Sequence, residues 1–134
     1  MKNLLFCGLI AIFILRCSTS ETEKLNGTWI PVKQEIGGTV LPEAVFGNQK
    51  LVLDHESYTM SAESIDQGKV FISGNQIEIQ GIEGPNAGKT FKAIYKFEGE
   101  HLIICYNLMG DVYPESFSTA GQPMYFMAEF RREE

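Results

Sequence analysis

The sequence predicts an all-β fold: an antiparallel up-and-down barrel of about eight short strands. Three observations carry that prediction. Between positions 25 and 132 apolar residues recur with a period of two. Turn-forming residues punctuate them at short intervals. Nothing in that region has the apolar period of a long amphipathic helix. Eight is also a strand number that closes a small barrel.

The elements follow in order. The opening strand spans Thr28 to Ile36, where Pro31 marks an edge or a kink. LPEAVFGN comes next, and Pro42 and Gly47 bracket one short helix near 42–47. After the first strand, such a helix would lie across one mouth of the barrel. KLVLD (50–54) and SYTMSAE (57–63) flank His55-Glu56. KVFIS (69–73) and QIEIQ (76–80) flank Gly74-Asn75, a hairpin signal. FKAIYKF puts Phe91, Ala93, Tyr95 and Phe97 on one face, with Lys92 and Lys96 on the other. The turn at 98–100 leads into HLIICYN. In MYFMAEFRR, Met124, Phe126, Ala128 and Phe130 share a face. The connection at 107–123, NLMGDVYPESFSTAGQP, is long for a hairpin and rich in turn residues, as functional loops often are.

The N-terminal segment precedes this pattern and is not part of it. Lys2 is followed by an apolar stretch from Leu4 to Leu15, short for a membrane span and suited to the core of a signal peptide. It ends at Cys17, after which the chain turns polar in STSETEK. This looks like a bacterial lipoprotein signal: residues 1–17 as leader with Cys17 as the lipidation candidate, 18–24 as a polar tether, and 25–132 as the domain. Arg16 departs from the small residue such signals place before the cysteine. An ordinary secretory signal cut near Ser20, or an uncleaved anchor, is the other reading. Each of these exports the domain. The lipoprotein reading holds it at a membrane of the bacterial envelope, the outer membrane favoured, by its lipid alone.

Charge excludes several partners. The formal net charge of the chain is −6, and it becomes more negative once Lys2 and Arg16 leave with the leader. No basic patch is present to neutralise phosphates, so nucleic acid is not expected. Docking on anionic lipid is disfavoured for the same reason. Of the three cysteines, Cys7 belongs to the leader and Cys17 would be acylated. Cys105 is left in an apolar run as a small buried hydrophobe. Without an internal disulfide, the domain relies on its hydrophobic core.

No constellation supports catalysis, a metal or a cofactor. His55 and His101 stand at no metal-ligand spacing from another His or Cys. No nucleophile elbow is present. GPNAGKT (84–90) has the look of a phosphate-binding loop, but the motif's first glycine would fall on Glu83 and the segment runs into a strand rather than a helix. It reads as a turn.

The single tryptophan sits in LNGTW at the head of the first strand. This resembles the Gly-x-Trp signature of lipocalins. The resemblance implies that Trp29 plugs the closed end of the barrel after Gly27, and that an arginine near the last strand's end packs across its ring. EFRRE offers Arg131 and Arg132, and parity does not choose between them. The order LNGTW, LP, YT, EGPNAGKT, AIYKFEGEHLIICYN and PESFST is similar to that of small bacterial lipocalin-like domains of exported proteins, over Leu25 to Arg132. Tyr113-Pro114 stands where that family usually has Arg-Pro. The resemblance implies a fold and no established activity.

The barrel interior is the remaining site candidate. Tyr58, Met60, Tyr95, Phe97, Tyr106, Met124 and Phe126 fall on apolar faces. Either these side chains fill the core, or they line a cavity open at one mouth. A cavity would make the protein a monomeric, non-enzymatic binder of a small apolar ligand. A packed barrel would leave an outer surface or loop to meet another envelope protein.

Overall fold

The computed structural model describes residues 20–134. The expected leader and Cys17 lie outside the described residues. Nine strands form one sheet: β1 (Gly27–Ile36), β2 (Thr39–Val40), β3 (Lys50–Asp54), β4 (Ser57–Ser61), β5 (Ile65–Ser73), β6 (Gln76–Glu83), β7 (Thr90–Glu98), β8 (His101–Asn107) and β9 (Tyr125–Arg132). Two single-turn helices, α1 (Glu21–Leu25) and α2 (Glu43–Phe46), complete the described elements.

The sheet closes. Consecutive strands from β3 to β9 pair antiparallel, β1 pairs with β3, and β1 also pairs with β9. Eight strands therefore form an up-and-down barrel. The two-residue β2, which the sequence pattern does not reveal, folds back on the end of β1 through Glu35↔Val40 and Ile36↔Thr39. Closure leaves no long open edge among the described strands. The closed ladder runs from Gly27 to Arg132, and Leu25 joins its core.

Pro31 marks a kink, as its fixed φ and missing N–H require. The β1–β9 register shifts between Pro31 and Lys33, so Val32 is an extra residue, a β-bulge. The consequence is parity. Trp29 and Pro31 point inward before the bulge, and Gln34 and Ile36 afterwards. Without it, Lys33 and Glu35 would enter the core.

One end of the barrel is solid. Trp29 is 0% exposed, among Leu25, Leu102 and Phe130. The Phe97 ring lies 6.1 Å from the Trp29 ring, and Tyr95 meets Phe97 edge-on at 6.1 Å. α1 covers this base: the Trp29 indole N–H donates to the Leu25 carbonyl at 2.8 Å. The polar stretch expected as a tether thus contributes a helical turn to the base. The Arg132 guanidinium lies over the indole, its Cζ 4.3 Å from the ring centroid. It also donates to the carbonyls of Asn26 and Lys24, each at 2.7 Å. Arg131 points outward, and its side chain donates only to the Arg132 carbonyl at 3.4 Å. Gly27 has φ +144°, and a Cβ there would collide with the Arg132 guanidinium.

The other end carries the longer connections, 37–49, 62–64, 84–89 and 108–124. α2 lies here, shorter than 42–47: Pro42 caps it and Gly47 ends it in right-handed geometry. β5 begins at Ile65 rather than 69, and β6 ends at Glu83 rather than 80. Asp66 and Gly68 are poor strand formers by propensity. Tertiary packing overrides this at Gly68, where a Cβ would collide with the Gln80 carbonyl and crowd the Tyr58 ring.

Candidate functional site

Above the packed base the barrel holds a cavity of about 280 Å³. Its wall is mostly apolar. Leu51 and Leu53 come from β3, Val70 from β5, Ile77 and Ile79 from β6, Ile104 from β8 and Phe130 from β9. Inward parity delivers each of them, because alternate side chains of every strand face the axis.

Of the residues expected on this wall, Tyr58, Met60, Tyr106 and Phe126 are there. Tyr106 and Phe126 pack against each other, ring centroids 5.7 Å apart. Tyr95 and Phe97 are not on it. They face inward as their parity requires, but at the base end of β7, where they fill the space beside Trp29. Met124 is not on the wall either. It precedes the first residue of β9, so the strand's alternation does not reach it, and it is 41% exposed.

Polar members gather at the loop end, and sequence reasoning missed them. Asp66, 7% exposed, points inward from β5. Its carboxylate accepts three hydrogen bonds: from the Tyr58 hydroxyl at 3.0 Å, and from the Asn86 backbone N–H and side-chain amide at 2.9 Å each. Asn86 belongs to GPNAGKT, which is a turn as expected. Two glycines bring that turn in close. A Cβ on Gly81 would collide with the Asn86 carbonyl, and one on Gly84 with the Ile65 carbonyl. Across the mouth, the buried Gln34 donates to the Gln49 side-chain carbonyl at 2.8 Å. Asp66 shares parity with Val70, so extending that strand pattern toward its N-terminus would have placed it. Asn86 and Gln49 sit in connections and carry no such signal.

Burial governs the ionisable groups here. It pushes the Tyr106 hydroxyl well above the usual phenol range, with the neighbouring Tyr58 and Cys105 adding to the shift. Burial likewise raises Tyr58, followed by its hydrogen bond to Asp66 and the charge of that carboxylate. Both remain neutral hydroxyls in the cavity at ordinary pH.

The long connection does not hang free. It crosses the outer wall from β7 to β1. Lys92 lies over the Tyr113 ring at 5.2 Å and Lys96 over the Phe117 ring at 4.6 Å. Asn107 donates to the Asp111 carboxylate and the Val112 carbonyl. At the far side the Thr119 hydroxyl donates to Glu35 and accepts from the Gly38 N–H at 2.9 Å. Ile103 and Cys105, on the outer face of β8, are buried under this strap. Burial, with the nearby Glu35 charge second, pushes the Cys105 thiol up to about 11.

Both histidines lie apart from the cavity. His55, in the β3–β4 turn, pairs with Asp54 at 2.6 Å, and His101 pairs with Glu129 at 2.8 Å. Among the described residues no three His, Cys, Asp or Glu gather to hold a metal. No described helix is long and apolar enough to cross a membrane. Compared with family models, curated proteins and solved structures, the chain has no match.

Proposed function

We propose that this protein is a non-enzymatic, lipocalin-like binding domain of the bacterial cell envelope. In this reading it is lipid-anchored through Cys17 and takes a small, mainly apolar ligand into its barrel. One observation carries the reading: an interior space of about 280 Å³ above a sealed base. Ligand pockets usually run from about 300 to 1,000 Å³, so the ligand is small. The rim supports the same reading. Among the described residues, the exposed large apolar side chains apart from Val32 and Phe71 lie in or beside the loop-end connections, as Val40, Val45, Ile65, Ile82 and Met109 do. An apolar rim would draw an apolar molecule toward the mouth.

The chain from Ser18 onward, stripped of bound lipid by unfolding and refolding, tests this directly. A fluorescent apolar probe is expected to bind with one-to-one stoichiometry and to be displaced by short-chain lipids. Ile104→Trp, which fills the cavity, is expected to abolish binding while circular dichroism stays barrel-like. Absence of probe binding to the folded wild type would refute the reading.

The apolar rim also favours a second reading, in which the loop end docks an envelope protein. Val45→Glu with Ile82→Glu separates the two. Loss of a co-purifying protein with unchanged probe affinity supports docking, and the reverse supports the cavity.

A further inference from the structure

The formal charge of the cavity is one-sided. Among the described residues, Asp66 is the one charged side chain on its wall, and no lysine, arginine or histidine lines it. The Asp66 carboxylate receives three hydrogen bonds and donates none. That is an acceptor-only pattern, and with about four lone-pair sites the carboxylate keeps one for a further donor. Gln34 is buried and donates to Gln49, while its own amide oxygen receives no hydrogen bond among the described residues. A molecule entering from the mouth therefore meets one formal charge, a negative one, among neutral amides and hydroxyls.

We propose that the cavity selects an apolar molecule whose polar end is a hydrogen-bond donor, a primary ammonium ahead of a hydroxyl, and that it excludes carboxylates. The inference rests on the cavity-binding reading and sharpens it. A carboxylate head would leave water for a low-dielectric space beside a like charge, with no cation to pair with. An ammonium would bring the compensating charge and donate to Asp66 in a charge-assisted bond. A hydroxyl could donate to Asp66 or Gln34 without repulsion, but with less attraction. The hydrogen bonds from Tyr58 and Asn86 fix the carboxylate at the mouth end, so the donor head would stay near the rim with its apolar body on Leu51, Ile77 and Ile104. A fatty-acid-binding barrel of the opposite kind would need a buried cation at this position.

The test uses three probes of equal length, octylamine, 1-octanol and octanoate, titrated calorimetrically into the delipidated chain from Ser18 onward in detergent-free buffer at pH 7. The expected order is octylamine, then octanol, with octanoate weaker than octylamine by roughly tenfold or more. Asp66→Asn is expected to bring the three within about threefold of one another, because the charge is the discriminating feature. If octanoate binds wild type as well as octylamine does, the head-group assignment is overturned and the cavity reading stands. If none of the three binds the folded wild type, the cavity reading falls and this inference with it. If octylamine keeps its advantage in folded Asp66→Asn, the selection does not come from Asp66 and the inference is wrong. Should Asp66→Asn fail to fold, the wild-type order alone decides.

Discussion

The Arg132 guanidinium lies over Trp29, its Cζ 4.3 Å from the indole centroid, while its two terminal nitrogens donate to the carbonyls of Asn26 and Lys24. One side chain thus ties the last strand to the first strand and to the helical turn before it. The planar fork matters, because two carbonyls and a ring face are engaged together. Arg132→Ala is expected to lose about 2 kcal/mol through the cation–π contact and two charge-assisted hydrogen bonds. Arg132→Lys should recover only part of this. Arg131→Ala should stay within about 0.5 kcal/mol, as exposed substitutions do. Urea unfolding followed by Trp29 emission measures all three.

Alternation revealed the eight barrel strands because inward residues such as Ala93, Tyr95, Leu102 and Ile104 are apolar wherever the barrel buries them. It gave facing and not depth. Tyr95 and Tyr106 have the same pattern, yet one packs beside Trp29 and the other lines the cavity, a difference set by where each strand starts relative to the base. It also failed wherever the chain broke its own period. The Val32 bulge hides Gln34 among residues of the opposite face, and Asp66 and Gly68 hide the start of β5. Arg132 could be separated from Arg131 only once the register Trp29↔Arg132 was in place.

The Val32 bulge makes a direct prediction. Deleting Val32 would move Lys33 and Glu35 onto the inner face and expel Gln34, the cost of a one-residue slip. The deletion variant is expected to lack a cooperative thermal transition. Val32→Thr keeps the residue count on an exposed position and should melt within a few degrees of wild type, corresponding to about 0.5 kcal/mol or less.

Gly81 is the backbone position that lets the 84–89 turn lie against the mouth. In Gly81→Ala the new methyl collides with the Asn86 carbonyl, which is backbone and cannot rotate away. The turn must shift, and the two Asn86 hydrogen bonds to Asp66 go with it. A loss of about 2–3 kcal/mol is expected from the displaced turn and the under-satisfied buried carboxylate. Gly74 has φ +59° but nothing within 4 Å of where a methyl would sit, so Gly74→Ala costs only the left-handed backbone penalty, about 1 kcal/mol. Thermal melts of the pair separate close approach from backbone freedom.

Cys105 links the outer strap to the pH dependence of stability. Its thiol rises from an ordinary 9.0 to about 11 in the folded protein. Between those values the unfolded chain releases the proton and the native one keeps it. The unfolded state then binds fewer protons, so stability falls as pH rises. The contribution is intact below pH 9 and lost progressively toward pH 11. Tyr58 and Tyr106 are raised from 10.0 and act in the same direction, beginning about one pH unit below that value. Over the interval from pH 9 to 10, comparison with Cys105→Ala therefore isolates the thiol. Wild type should lose about 1 kcal/mol more than Cys105→Ala across it, measured as the difference in urea midpoints at the two pH values. The strap controls access to the same thiol. Thr119→Val removes the hydroxyl that bridges Glu35 and the Gly38 N–H, loosening the far end of 108–124. Native Cys105 should then react with a thiol reagent at pH 8 on the way to strap opening, well before global unfolding. In wild type the labelling rate should instead track the unfolding equilibrium.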